Sequence, residues 1–143
     1  MKRFNLRCYA IIINDHKELL LSDEYRNGHA FTKLVGGGLE WGEGPIDCLK
    51  REIKEELDLD ALVGDLFYVT DFFQQSAFNK KDQLISFYYR INAIDFNKIK
   101  IENHTYPLTE NGEKFRWKKI DELHPNDLTF PIDKIVIKKL LSE

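Results

Sequence analysis

Three acidic residues lie close together in the chain: Glu52, Glu55 and Glu56. On a helix, which turns by about 100° per residue, their side chains fall within a wedge of about 100°. Like charges at this spacing on an exposed helix repel each other by about 0.2–0.5 kcal/mol per pair. A divalent cation reverses this effect, and carboxylate oxygens suit Mg²⁺ and Mn²⁺, which commonly bridge carboxylates to substrate phosphates. These residue types at this spacing therefore predict a Mg²⁺ or Mn²⁺ site.

A glycine-rich segment precedes the acidic residues and runs from residue 36 to residue 44. Glycine allows positive φ and close approach of the backbone, as a phosphate- or metal-binding turn requires. The segment and the glutamates together favour a metal–diphosphate site. A solvated helix face is the alternative, because Arg51 is also spaced for ordinary ion pairs with Asp47 and Glu55. The residues by themselves leave both interpretations open.

The elements that must position these residues can be predicted from periodicity. Residues 45–57 read as a helix that begins at a proline and carries an apolar stripe: Ile46, Leu49, Ile53 and Leu57. The remaining predicted elements are strands over 6–13, 18–21, 62–75, 84–94 and 115–118, and a helix over 131–141. Residues 22–29 read as a polar connection. This order predicts an α/β or α+β fold, an α/β/α sandwich with a mixed sheet between helices.

Composition limits the class of protein. The chain has 143 residues, 43% hydrophobic and 31% charged, with a formal net charge of −3. This length predicts a single domain over residues 1–143. The mild acidity argues against DNA as a partner. Two cysteines, neither in a metal-binding pattern, argue against structural zinc and a disulfide framework. The longest apolar run is far shorter than a bilayer span, so we expect no membrane partner and a cytoplasmic location.

A longer pattern includes the acidic residues. Residues 37–59 resemble the Nudix box, G-x5-E-x7-R-E-U-x-E-E-x-G-U, where U is a bulky aliphatic residue. A later segment, residues 117–123, resembles the W-x3-[DE]EL segment of that family. Two positions depart from the pattern, since Asp58 replaces the box glycine and Val35 replaces a proline that often precedes the paired glycines. We expect Asp58 to adopt the left-handed conformation of that glycine, which Asp tolerates better than most residues.

The resemblance implies a divalent-metal-dependent pyrophosphohydrolase. Such enzymes cleave a nucleoside diphosphate linked to another moiety by attack of water on phosphorus. At the matching positions Arg51 would orient the glutamates, and Glu43 would support the junction between loop and helix. The implied metal ligands are the Gly37 carbonyl and the side chains of Glu52, Glu55, Glu56 and a later glutamate, Glu113. The general base would be a box glutamate or one of two later acids, Glu110 and Glu113.

Substrate recognition is weakly encoded. Arg26, His29 and Lys33 precede the box and could neutralise phosphates, although solvated loop charges are the ordinary interpretation. Phe73 or Phe72 could stack on a base, although core packing is the ordinary role of both. We expect a small nucleoside diphosphate derivative as partner, and a monomer or homodimer. Two alternatives share the resemblance: a non-catalytic nucleotide sensor of the same fold, and an RNA pyrophosphohydrolase.

Overall fold

The computed structural model describes all 143 residues and shows a mixed α+β fold with two sheets and two helices. This confirms the predicted fold class. The elements, in chain order, are β1 (Arg3–Ile11), β2 (Glu18–Arg26), β3 (His29–Lys33), β4 (Val35–Gly38), α1 (Pro45–Leu57), β5 (Leu62–Val69), β6 (Asp82–Ala93), β7 (Gly112–Lys119) and α2 (Pro131–Leu141). Neither helix combines the length and apolar character that a membrane crossing needs.

The chain forms two compact units, of which the first contains residues 1–10 and 36–94. Its sheet has the strand order β4-β1-β6-β5. Helix α1 begins and ends at the predicted residues. The Asp47 carboxylate accepts a hydrogen bond from the Gly44 amide at 3.0 Å, which satisfies one of the free amides of the first turn. Asp58 ends the helix at φ 56° and ψ 38°, with its amide donating to the Lys54 carbonyl. The expected left-handed residue is therefore present.

One face of α1 is buried in this unit. Cys48, Leu49, Ile53 and Leu57 are almost inaccessible, whereas Ile46 is 41% exposed. The predicted stripe is therefore correct except at its first position, where Cys48 contributes to the buried face instead. Since the buried residues fix the rotation of the helix, the acidic residues are held at the edge of this face.

Strand β5 is shorter than the sequence predicts. It ends at Val69, so Phe72 and Phe73 lie in the following loop rather than on a strand. Phe73 is 70% exposed and Phe72 is 37% exposed, which corrects the expectation that both pack in the core. Aromatic residues extend the pattern of a strand, but here they continue past Val69, the last residue of β5, which pairs with Phe87 of β6.

The second unit contains residues 11–35 and 95–143, with the strand order β3-β2-β7 and helix α2. Strand β2 is antiparallel to both neighbours and reaches Arg26, so most of the predicted polar connection is strand. Its polar side chains are buried because they have partners. Asp23 is 1% exposed and binds Arg116 at 2.7 Å, His104 at 2.8 Å and Thr32 at 2.6 Å.

Candidate active site

Arg51 is the centre of the polar cluster on α1. Its Nε and Nη2 donate to both carboxylate oxygens of Glu43, at 3.0 and 2.7 Å. Nη2 also donates to the Gly38 carbonyl at 2.9 Å. Nη1 donates to Glu52 at 2.9 Å and to the more exposed Glu55 at 3.3 Å. One guanidinium thus connects the glycine-rich loop to two of the three acidic residues, because its planar fork can bind several acceptors in fixed directions.

The electrostatics of this cluster follow from the same contacts. The Arg51 guanidinium, assisted by the Glu40 amide, lowers the pKa of Glu43 to about 2. The hydrogen bonds to Glu43 and Glu52 in turn raise the pKa of Arg51 above its usual value. Glu43 and Arg51 are therefore both ionised at neutral pH. Their fixed charges hold the loop against the helix.

Glycine at position 37 leaves room for a carboxylate of α1. A Cβ added to Gly37 would collide with the carboxylate of Glu52, whose Oε2 would lie 2.7 Å away. Glycine therefore lets the Glu52 carboxylate approach the backbone of the segment that carries the Gly37 carbonyl. The result is a set of oxygen atoms of two kinds, carboxylate and carbonyl, in one place. This is the donor set that Mg²⁺ and Mn²⁺ prefer.

The other two glutamates differ in environment. Glu56 accepts a hydrogen bond from the Gly36 amide at 3.1 Å, so the same loop that packs against Glu52 also positions Glu56. The side chain of Glu55 is 58% exposed and has Arg51 as its ion-pair partner. Glu55 is thus open to solvent, whereas the other two carboxylates are held by the loop.

A family model described as the NUDIX domain matches residues 4–140. The chain belongs to the Nudix family. This match confirms the family that the resemblance indicated, and it supports a hydrolase. A search of the curated proteins gave no match.

Several solved structures share the fold. The E. coli ORF135 protein aligns with a TM-score of 0.73 and 18% identity, covering 99% of this chain and 91% of that one. A MutT NUDIX hydrolase from Burkholderia pseudomallei gives a TM-score of 0.71 and 21% identity, covering 97% and 99%. A NUDIX hydrolase from Nitrosomonas europaea gives 0.68 and 21%, covering 98% and 90%. At these identities the likeness shows the fold alone.

The residues predicted from the Nudix box lie together in the first unit. The cluster described above contains six of them: Gly37, Glu43, Arg51, Glu52, Glu55 and Glu56. Their catalytic and metal-binding roles stay predictions. Phe73 lies in the same unit, exposed in the loop after β5, and its stacking role also stays a prediction.

Arg26, Lys33 and Glu113 lie in the second unit, around a glutamate that the sequence pattern did not indicate. Glu24 on β2 is fully buried, and Lys33 binds its Oε2 at 2.9 Å. Arg26 Nη2 lies 3.0 Å from Oε1, but outside hydrogen-bond geometry. The Ser22 hydroxyl lies 3.2 Å from Glu24 and 3.0 Å from Glu113, which faces Glu24 across the β2–β7 register.

Burial alone raises the pKa of Glu24, but the Lys33 ammonium outweighs it, so the pKa lies below its usual value. Lys33 is itself 6% exposed and is therefore not a solvated loop charge. A strand through residue 24 would have revealed this arrangement, since it places Ser22 and Glu24 on one face. The predicted strand, residues 18–21, is too short to include residue 24.

Proposed function

We propose that this protein is a divalent-metal-dependent pyrophosphohydrolase that cleaves a nucleoside diphosphate linked to another moiety by attack of water on phosphorus. The observation that carries the proposal is the arrangement around Arg51. This residue holds Glu43, Glu52 and the Gly38 carbonyl together, and Glu52 packs against Gly37. Like-charged carboxylates on neighbouring turns of a helix repel each other, so their collection beside a glycine-rich loop favours a role in chemistry.

The residues present fit a divalent cation. Glu52, Glu55, Glu56 and the Gly37 carbonyl would hold it, all of them hard oxygen donors. When bound, the cation neutralises charge on the diphosphate and acidifies water. Other groups of the chain position the carboxylates that would bind it. Arg51 fixes the direction of the Glu52 carboxylate, and the Gly36 amide fixes that of Glu56.

The cluster does not balance its own charge. One cation, Arg51, is shared among Glu43, Glu52 and Glu55. Since Glu43 takes two of its hydrogen bonds, the negative charge on the remaining carboxylates is only partly neutralised. This residual negative charge favours cation binding. It also explains why a substrate anion would need a cation to approach these residues.

A panel assay tests the proposal. The purified protein is incubated with Mg²⁺ or Mn²⁺ and with nucleoside triphosphates, nucleotide sugars, ADP-ribose, dinucleoside polyphosphates and 5′-triphosphate or capped RNA. The expected result is metal-dependent release of phosphate, pyrophosphate or a nucleoside monophosphate from at least one small substrate. The Glu52→Gln, Glu56→Gln double variant is the matched control and should be inactive.

Two outcomes would contradict the proposal. Tight binding of one nucleotide with no turnover of any substrate would indicate a non-catalytic sensor. Turnover confined to RNA would indicate an RNA pyrophosphohydrolase. In H₂¹⁸O, the proposed attack on phosphorus places ¹⁸O in a phosphate-containing product, and its absence would exclude this chemistry.

A further inference from the structure

Arg7 on β1 is an arginine whose position is fixed but whose terminal nitrogens are unused. Its Nε donates to the Tyr9 hydroxyl at 2.7 Å. The Tyr9 ring is 8% exposed and stacks on the buried ring of Tyr88, with 5.2 Å between centroids and 30° between planes. Because the stacked rings are rigid, the hydroxyl is a fixed point. The guanidinium carbon also lies over the Tyr9 ring, 5.7 Å from its centroid, so that Tyr9 holds the guanidinium through two contacts.

Neither Nη1 nor Nη2 of Arg7 has a hydrogen-bond partner in the chain. Two other arginines of the same unit differ in this respect. Arg3 binds both oxygens of Asp82, at 2.8 and 3.1 Å, and Arg51 is shared among several acceptors. Arg7 is nevertheless half-buried. A charged group that loses hydration without hydrogen bonds costs free energy. The arrangement therefore points to a ligand that carries acceptors.

Arg7 lies next to the glycine-rich loop. Its Nη1 is 3.6 Å from the point that a Cβ on Gly38 would occupy, and Gly38 adjoins Gly37. Burial lowers the pKa of Arg7, but Tyr9 and the negative charge of Glu52 outweigh it, so the pKa is above its usual value. The guanidinium is therefore a permanent cation beside the residues proposed to act on a diphosphate.

We propose that Arg7 binds phosphate oxygens of the substrate through Nη1 and Nη2, with Tyr9 as its positioning residue. The ligand class follows from the geometry. Two parallel N–H donors on a planar cation match two oxygens of one phosphate, which is the bidentate contact that arginine makes and lysine does not. Such a contact supplies positive charge to the diphosphate directly, which the carboxylates of the cluster cannot do. The proposal rests on the proposed function for its substrate.

Variants at both positions test the proposal. Arg7→Met removes the charge, Arg7→Lys keeps the charge without the fork, and Tyr9→Phe keeps the stacked ring without the hydroxyl. Arg90→Met is the matched control, because Arg90 lies over the Phe67 ring in the same unit, 4.7 Å from its centroid. Arg90→Met and Arg7→Met change the net charge of the protein by the same amount. Circular dichroism and thermal unfolding establish that each variant is folded.

The first readout does not need turnover. Inorganic pyrophosphate is titrated into each protein by calorimetry, with Mg²⁺ present throughout. Arg7→Met should weaken binding by at least about tenfold, as expected for loss of charge-assisted hydrogen bonds. Arg7→Lys and Tyr9→Phe should give smaller losses, and Arg90→Met should give none. Wild-type affinity in Arg7→Met would overturn the proposal, and wild-type affinity in Tyr9→Phe would overturn the role of Tyr9.

The second readout is steady-state kinetics on the best substrate of the panel. Arg7→Met should raise KM by a similar factor, whatever base the substrate carries. A loss confined to one base, with pyrophosphate binding unchanged, would mean that Arg7 recognises the base edge, and would overturn the phosphate assignment. The experiments distinguish a failure of the proposed function from a failure of the proposal for Arg7. A wild-type protein without turnover contradicts the proposed function, whereas the pyrophosphate titration still decides whether Arg7 binds phosphate.

Discussion

Removal of the Arg51 guanidinium should destabilise the protein more than removal of any exposed neighbouring charge. In Arg51→Met, Glu43 loses two hydrogen bonds of 3.0 and 2.7 Å, and the Gly38 carbonyl loses one of 2.9 Å. Glu52 loses one more, at 2.9 Å. Hydrogen bonds to charged groups contribute about 1.5–3 kcal/mol each, but the freed carboxylates regain water. We therefore expect a net loss of about 2–4 kcal/mol in the free energy of unfolding.

Urea unfolding at pH 7 measures this loss. Lys50→Met is the matched control, because Lys50 is exposed on the same helix, and its loss should cost less than about 0.5 kcal/mol. Arg51→Lys should fall between the two variants, since an ammonium cannot reproduce the fork. An Arg51→Met protein within about 0.5 kcal/mol of wild type would refute the reasoning.

The difference between wild type and Arg51→Met should also depend on pH. The pKa of Glu43 is about 2 in the folded protein and about 4.3 in an unfolded chain. A carboxyl group whose folded pKa is lowered contributes stability above its unfolded pKa, and this contribution is lost as the pH falls through the folded value. The difference in the free energy of unfolding between wild type and Arg51→Met should therefore become smaller as the pH falls from about 4.3 towards 2. A difference that stays constant over this range would show that Glu43 is not the main partner of Arg51.

Three further predictions concern the box and the later glutamates. Asp58→Gly should stabilise by less than about 1 kcal/mol in thermal unfolding, because relief of positive φ is opposed by entropy of the unfolded chain. A Tm several degrees lower would contradict this. Saturating Mg²⁺ should raise Tm by mass action, and Glu52→Gln with Glu56→Gln should abolish the rise; an equal rise would place the metal elsewhere. Glu113→Gln should lower kcat, whereas Glu110→Gln, at an exposed position, should not. Equal kcat values for the two variants would show that Glu113 takes no part in the reaction.

The part of the fold that could be predicted is the part set by local signals. Helix α1 has a proline start, an apolar period and a left-handed end, and all three depend on neighbouring residues. The left-handed conformation at the C-terminal end of α1 could be predicted although Asp58 is not a glycine, because the box pattern has a left-handed residue at this position. The box cluster was predicted for a similar reason, since its members lie on one helix and the loop before it.

The part that could not be predicted depends on distant partners. Ser22, Asp23 and Glu24 read as a polar connection because polar residues are rarely buried in a strand. They are buried here because Lys33 binds Glu24, and because Arg116, 93 residues further along the chain, binds Asp23. No pattern within β2 contains that information.

The same limit applies to Arg7. The sequence shows one basic residue on an apolar strand, which is common. The contact with Tyr9, the stacking of Tyr9 on Tyr88 and the two unused nitrogens appear only in three dimensions. Recognition residues are thus harder to predict than the box, because they are contributed one at a time by separate elements.

The most direct test of the central claim is the kcat of Glu56→Gln on the best substrate, at saturating Mg²⁺ and with Tm measured on the same sample. The substitution removes one charge from the acidic cluster and keeps the shape of the side chain, so the fold should be retained. We predict that the kcat of Glu56→Gln is lower than that of wild type by at least about a hundredfold, with little change in Tm, as expected for loss of a ligand charge at the reacting centre. A folded variant that turns over at nearly the wild-type rate would contradict it.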